Sequence, residues 1–171
     1  MFQTILCAVD LEEGTEDVVR TACDLAGRFP GSRLILAYVA EIPLLTLAGG
    51  RGTLEIPEED AAAVDRTATR LRKMARDRLE DLVELMEVQA KVMVLEGPPV
   101  SGAVLEAIEK ERVDLLILGS HQKGPIRRLL LGSISDKLAH AATCPVLIVK
   151  GAYGREEQLK SRRMPESGGG L

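Results

Sequence analysis

Gly119-Ser120-His121-Gln122-Lys123-Gly124 follows the apolar run Leu115-Leu116-Ile117-Leu118, and Gly132-Ser133 stands shortly beyond it. A strand that ends in glycine, a loop, and a Gly-Ser that opens a helix gather backbone N–H groups and the positive end of a helix dipole at one point, which is how a fold holds phosphate. The chain also begins with an apolar strand, Ile5-Leu6-Cys7-Ala8-Val9, closed by the carboxylate of Asp10. In open α/β sheets, ligands sit beyond the carboxyl ends of the strands where strand order reverses. Asp10, Val39 and Gly119 all fall at such ends. With the first and fourth strands adjacent, the glycine loop meets phosphates and Asp10 reaches a ribose hydroxyl, so a nucleotide is the natural ligand.

Each of these residues also has an ordinary reading. Ser133-Ile134-Ser135-Asp136 fits the Ser-x-x-Asp pattern of a capping box, in which Ser133 satisfies helix N–H groups whatever the ligand. Asp10 could cap the helix after its strand. His121 and Lys123 share the loop, but spacing places no carboxylate or nucleophile with the histidine, which reads as a locally hydrogen-bonded loop residue. Arg127-Arg128 reads as a solvated pair within reach of phosphate, and His140 lies deep in the last helix. Gly49-Gly50-Arg51-Gly52 matches neither a Walker loop nor a dinucleotide fingerprint and reads as flexibility.

The elements that must position these residues follow from periodicity. Residues 4–10 form a buried strand. Val18, Ala22, Leu25, Ala26 and Phe29 make the apolar stripe of a helix that Pro30-Gly31 ends. Residues 33–39 form a second apolar strand, suited to a parallel sheet covered on both faces. Periodicity is lost over about 40–57, a lid or a disordered stretch. Val64, Ala68, Leu71, Ala75, Leu79, Leu82 and Met86 then mark a helix long enough to overhang the sheet. Residues 92–95 are a third strand, and Gly97-Pro98-Pro99 is a breaker with proline placed to start a helix carrying Val100, Val104, Ala107 and Ile108. Residues 115–118 are the fourth strand, Ile134, Leu138 and Ala141 mark the last helix, and residues 146–149 are the fifth strand. Strands alternating with helices predict a parallel, right-handed α/β sheet. The polar residues after Lys150 read as a mobile tail over 151–171.

Composition narrows the partners. The chain has 171 residues, 46% of them hydrophobic, which suits one domain over 1–150. The net charge of −4 gives no basic field for nucleic acid or anionic lipid. Phe2, Phe29, Tyr38 and Tyr153 are too few to stack bases. No apolar stretch approaches the ~20 residues of a membrane span. Cys7, Cys23 and Cys144 lack metal-ligand spacing and read as buried thiols. A cytoplasmic protein is expected, with neither nucleic-acid binding nor membrane insertion.

The Val9-Asp10 strand end, the run Asp114 to His121, and Leu129-Leu130-Leu131-Gly132-Ser133 through Cys144-Pro145-Val146-Leu147-Ile148-Val149-Lys150 resemble the universal stress protein family over about residues 2–150. The resemblance implies an open five-stranded parallel sheet with helices on both faces, Rossmann-like and similar to the adenine nucleotide alpha-hydrolases, with strand order 3-2-1-4-5. Its ATP-binding branch carries a glycine, two residues, a glycine, nine residues, then Gly-Ser or Gly-Thr. Gly119 and Gly132-Ser133 match at that total spacing, but Gln122 stands at the middle glycine, where a side chain crowds the approach to phosphate. Asp10 matches the family's ribose-contacting acid, and Ala8, Val9 and Val39 match strand ends that contact adenine and ribose. The implied nucleotide-binding set is Ala8, Val9, Asp10, Val39, Gly119, His121, Gln122, Lys123, Gly132, Ser133, Ile134 and Ser135.

The resemblance further implies a homodimer formed through the last strand, Val146–Val149, whose ATP occupancy alters its affinity for a protein partner. The competing expectation is a nucleotide-free interaction module of the same fold. The loop Asp10-Leu11-Glu12-Glu13-Gly14 lacks the S-G-G-x-D-S sequence of adenylating relatives, so no catalytic residue is expected. Slow hydrolysis through bound Mg²⁺ and an ordered water is compatible with that reading.

Overall fold

Apolar runs, buried at the centre of the sheet and partly buried at its two edges, produce five parallel strands in this computed structural model, which describes residues 2–40, 58–97, 99–120 and 132–150. They are β1 (Thr4–Val9), β2 (Arg33–Ala40), β3 (Lys91–Glu96), β4 (Leu115–Gly119) and β5 (Val146–Val149). Helices α1 (Thr15–Ala26), α2 (Glu58–Leu85), α3 (Val100–Glu111) and α4 (Ser133–Ala141) connect them, and the sheet order is β3-β2-β1-β4-β5. Of the stretch expected as a lid or disordered segment, Ala40 instead closes β2, and residues 41–57, like Pro98, the loop holding His121, Gln122, Lys123, Arg127 and Arg128, and the expected tail, lie outside the described residues, as does the side chain of Val64.

Alternation along the strands sorts side chains onto two faces. Ile5, Cys7, Leu34, Leu36, Leu115 and Ile117 meet Val18, Val19 and Ala22 of α1 and Leu79 of α2. Leu6, Ile35, Ala37, Leu116 and Leu118 meet Val104, Ala107 and Ile108 of α3 and Leu138 of α4. The sheet is therefore covered by two helices on each side. At 28 residues, α2 is about 42 Å long, well beyond the eight-residue β2 beneath it, and it overhangs as expected.

Register at the centre is pinned at its amino end. The Asp114 carboxylate accepts from Gln3 N (2.8 Å) and Thr4 N (3.3 Å), and Asp114 N donates to Thr4 O (3.0 Å). Ile5 through Ala8 then pair with Leu115 through Leu118.

Four local expectations need correction. First, α1 ends at Ala26, before Pro30-Gly31, because Gly27 is a poor helix residue. The chain tightens there through Arg28 N→Leu25 O and Phe29 N→Ala26 O, and the Phe29 ring meets Phe2 edge-on at 5.2 Å. Second, Pro99 is the N-cap of α3 and not its first helical residue, its carbonyl accepting from Gly102 N and Ala103 N. Third, the buried face of α4 is Ser135 and Leu138; Ile134 and Ala141 are exposed. Fourth, only Cys7 is fully buried, Cys23 and Cys144 being partly so. Burial still raises all three thiol pKa values, most strongly at Cys7.

Candidate functional site

The strand order reverses between β1 and β4, since β2 and β3 lie on one side of β1 and β4 and β5 on the other. The carboxyl ends of these two central strands open the crevice where α/β sheets take ligands. Ala8 stands opposite Leu118, so Val9, Asp10 and Gly119 follow at that rim. Tyr38 is opposite Val9, which puts Val39 one residue further along β2, its side chain buried on the α3/α4 face.

Asp10 is exposed just past β1 and shapes its own turn. Its Oδ1 accepts from Glu12 N at 3.0 Å and from Thr15 Oγ1 at 3.1 Å. The carboxylate thus ties the β1 end to the start of α1, the ordinary role foreseen for it, while lying at the rim where a ribose would sit. Leu11 takes φ 57° within this turn, and its carbonyl accepts from Arg78 Nη2 of α2 at 3.0 Å. Gly14, at φ 90°, forms the N-cap of α1, a conformation that glycine adopts without strain.

Gly119 ends β4, and two contacts explain it. A Cβ there would stand 3.2 Å from Val18 Cγ2, so the missing side chain lets α1 pack close. Its carbonyl accepts from Ser135 Oγ at 3.1 Å, which locks the first turn of α4 onto the end of β4. Ser120 N donates to Val149 O at 2.9 Å, joining the same end to β5.

The capping box does not form. Gly132 is the N-cap, its carbonyl accepting the first helical bond from Asp136 N at 2.9 Å, and no side chain caps the helix. Ser133 is the first helical residue and is exposed. Its N–H and those of Ile134 and Ser135 precede the first intrahelical donor, the group that a phosphate satisfies. These residues fit an adenine nucleotide in kind: a rim carboxylate for a ribose, a helix N-terminus without a side-chain cap for phosphate, and apolar strand ends at Ala8, Val9 and Val39.

The structure therefore brings Ala8, Val9, Asp10, Gly119, Gly132, Ser133, Ile134 and Ser135 to one end of the sheet, with Val39 alongside. His121, Gln122 and Lys123 lie outside the described residues. His140 lies in α4 as expected, near its C-terminal end and exposed, its Nδ1 2.8 Å from Asp136 O. Sequence reasoning missed Thr15, Val18 and Arg78. A threonine at the expected start of α1, five residues after the strand-end acid, was the available signal for Thr15; no pattern announces Arg78, whose partner is a backbone carbonyl. Among the described residues no cluster of His, Cys, Asp or Glu could hold a metal ion, and no helix is long and apolar enough to cross a membrane.

Known proteins resemble this chain in sequence and in fold. The universal stress protein YxiE of Bacillus subtilis is 28% identical over 153 residues, covering 88% of this chain and all of YxiE. The solved structure of MJ0577 from Methanocaldococcus jannaschii superposes with a TM-score of 0.66 at 23% identity, covering 88% of this chain and 96% of that one. A universal stress protein solved in complex with cAMP gives 0.54 at 20% identity, over 88% and 98% of the two chains. An Arabidopsis thaliana family member solved with AMP bound gives 0.54 at 13%, over 90% and 94%. Residues 1–150 match the universal stress protein family as a whole, which agrees with the sheet order and the crevice, and the chain belongs to that family.

Proposed function

We propose that this universal stress protein binds an adenine nucleotide, ATP with Mg²⁺ in the first instance, at the β1/β4 crevice, and acts in the cytoplasm as a regulatory homodimer of the stress response. The observation that carries the reading is the meeting, at one switch point, of the Asp10 turn with the α4 N-terminus that Ser135 holds against Gly119. Relatives of the same fold bind cAMP and AMP, which supports an adenine ligand. Occupancy, not turnover, is the output in this reading. The loop after β1 supplies acids and no S-G-G-x-D-S nucleotide-activating sequence. β5 lies at the edge of the sheet with Val146–Val149 apolar, the surface proposed to pair with a second copy.

Gln122 favours a second reading, a nucleotide-free interaction module of the same fold. Isothermal titration with Mg-ATP, run beside Gln122→Gly, decides between them. Micromolar binding by the wild type is expected. No binding by the wild type with binding recovered in Gln122→Gly would establish the second reading, and none in either would remove the nucleotide altogether. Turnover at about 1 s⁻¹ or faster would overturn the regulatory reading.

A further inference from the structure

The outer face of α2 carries a charge order that helix stability alone does not explain. Arg66, Arg70, Lys73, Asp77, Glu80 and Glu84 recur at alternating four- and three-residue steps, all exposed, opposite the buried Ala68, Ala75 and Leu79. Three bases are followed by three acids along one stripe. Glu80 and Glu84 near the C-terminus oppose the helix dipole, and the last turn holds no base. The pairs within the helix, Lys73–Asp77 at 2.7 Å and Arg76–Glu80 at 3.8 Å, place the base before the acid, the weaker orientation. Arg66, Arg70 and Glu84 have no ion-pair partner among the described residues.

The stripe is complementary to itself when reversed. We infer that α2 docks antiparallel on α2 of a second copy of this chain, about a two-fold axis at the level of Ala75. Arg66 then opposes Glu84, Arg70 opposes Glu80 and Lys73 opposes Asp77, each pair occurring twice. Each helix lies along the opposite dipole of its partner, which removes the unfavourable placement of the acids. The seven-residue repeat is the spacing that keeps one stripe facing a partner helix. Met74, 51% exposed, sits beside the axis and meets its own copy there. Because α2 packs over β2 and β3, at the far side of the sheet from β5, this surface is separate from the β5 edge and can be occupied together with it.

The test is sedimentation velocity on the full-length protein over a concentration series, with Arg66→Glu/Arg70→Glu and Glu80→Arg/Glu84→Arg variants and their equimolar mixture. Each variant gives the four outer positions of its stripe a single sign and leaves Lys73 and Asp77 unchanged. Wild type is expected to gain mass with concentration, and added salt should reverse the gain. Either variant alone should associate at least about ten-fold more weakly. The mixture should recover wild-type association, since every opposed pair is then complementary; loss of folding in a variant cannot imitate that recovery, and far-UV circular dichroism checks it separately. Equal mass for wild type, both variants and their mixture at every concentration overturns the inference, as does a mixture no heavier than its components.

Discussion

The Ser135 hydroxyl donates to the Gly119 carbonyl at 3.1 Å, fastening the first turn of α4 to the end of β4. Ser135 is buried, so truncation leaves a carbonyl without its donor where water does not readily replace it. Ser135→Ala is expected to cost about 1–2 kcal/mol of stability, read from the urea midpoint. It should also weaken Mg-ATP binding several-fold, because the N–H groups of Ser133 and Ile134 lose their fixed position. An unchanged midpoint would mean that the helix is held by Leu138 packing alone.

Gly119 and Val18 form a second fixed contact, at the opposite face of the sheet from Ser135. A methyl at position 119 meets Val18 Cγ2 at 3.2 Å, and Val18 is a buried, β-branched helix residue with little freedom to turn aside. Gly119→Ala should therefore destabilise by about 1 kcal/mol. Val18→Ala combined with it should cost less than the sum of the two single changes, and a double-mutant cycle by chemical unfolding measures the coupling. Strict additivity would show that α1 shifts freely.

The strands were legible because parallel strands covered on both faces read as unbroken apolar runs, and Leu115–Leu118 or Val146–Val149 allow little else, whereas their order in the sheet came from the family resemblance. The last helix was legible in place but not in orientation. Its buried face contains Ser135, whose hydroxyl is satisfied by Gly119, so the apolar Ile134 that helps mark the helix lies off that face. Ser133 satisfied a capping pattern that the backbone places one residue too early. For the site, Asp10 and Gly119 were visible as strand ends. The bond from Arg78 to the Leu11 carbonyl joins residues far apart in sequence through a main-chain atom, and no residue pattern encodes it.

Asp10 has two separable duties in its turn. Thr15→Val removes one donor to Asp10 Oδ1 and leaves the Glu12 N bond, whereas Asp10→Ala removes both. Stability should fall by about 1 kcal/mol for Thr15→Val and by more for Asp10→Ala. Nucleotide affinity should fall far more for Asp10→Ala than its loss of stability implies, since the carboxylate is the ribose partner in the proposed complex. Equal losses of affinity in the two variants would reduce Asp10 to a turn residue.

Glu111 makes stability depend on pH in a stated direction. Lys91 Nζ donates to its Oε1 at 3.0 Å, and Arg33 Nη2 stands 3.2 Å from Oε2, joining the end of α3 to the starts of β2 and β3. The hydrogen bond from Lys91, then the charges of Lys91, Arg33 and Lys110, hold the Glu111 pKa below the usual carboxylate value. A group whose pKa is lower in the folded state stabilises fully above its unfolded pKa of about 4.3, and that contribution disappears as pH falls through the folded value. Wild type should therefore exceed Glu111→Gln in urea midpoint at pH 7, and the gap should narrow as pH is taken from about 5 to about 3. A gap that stays constant over that range would assign the effect to packing of the side chain and not to its charge.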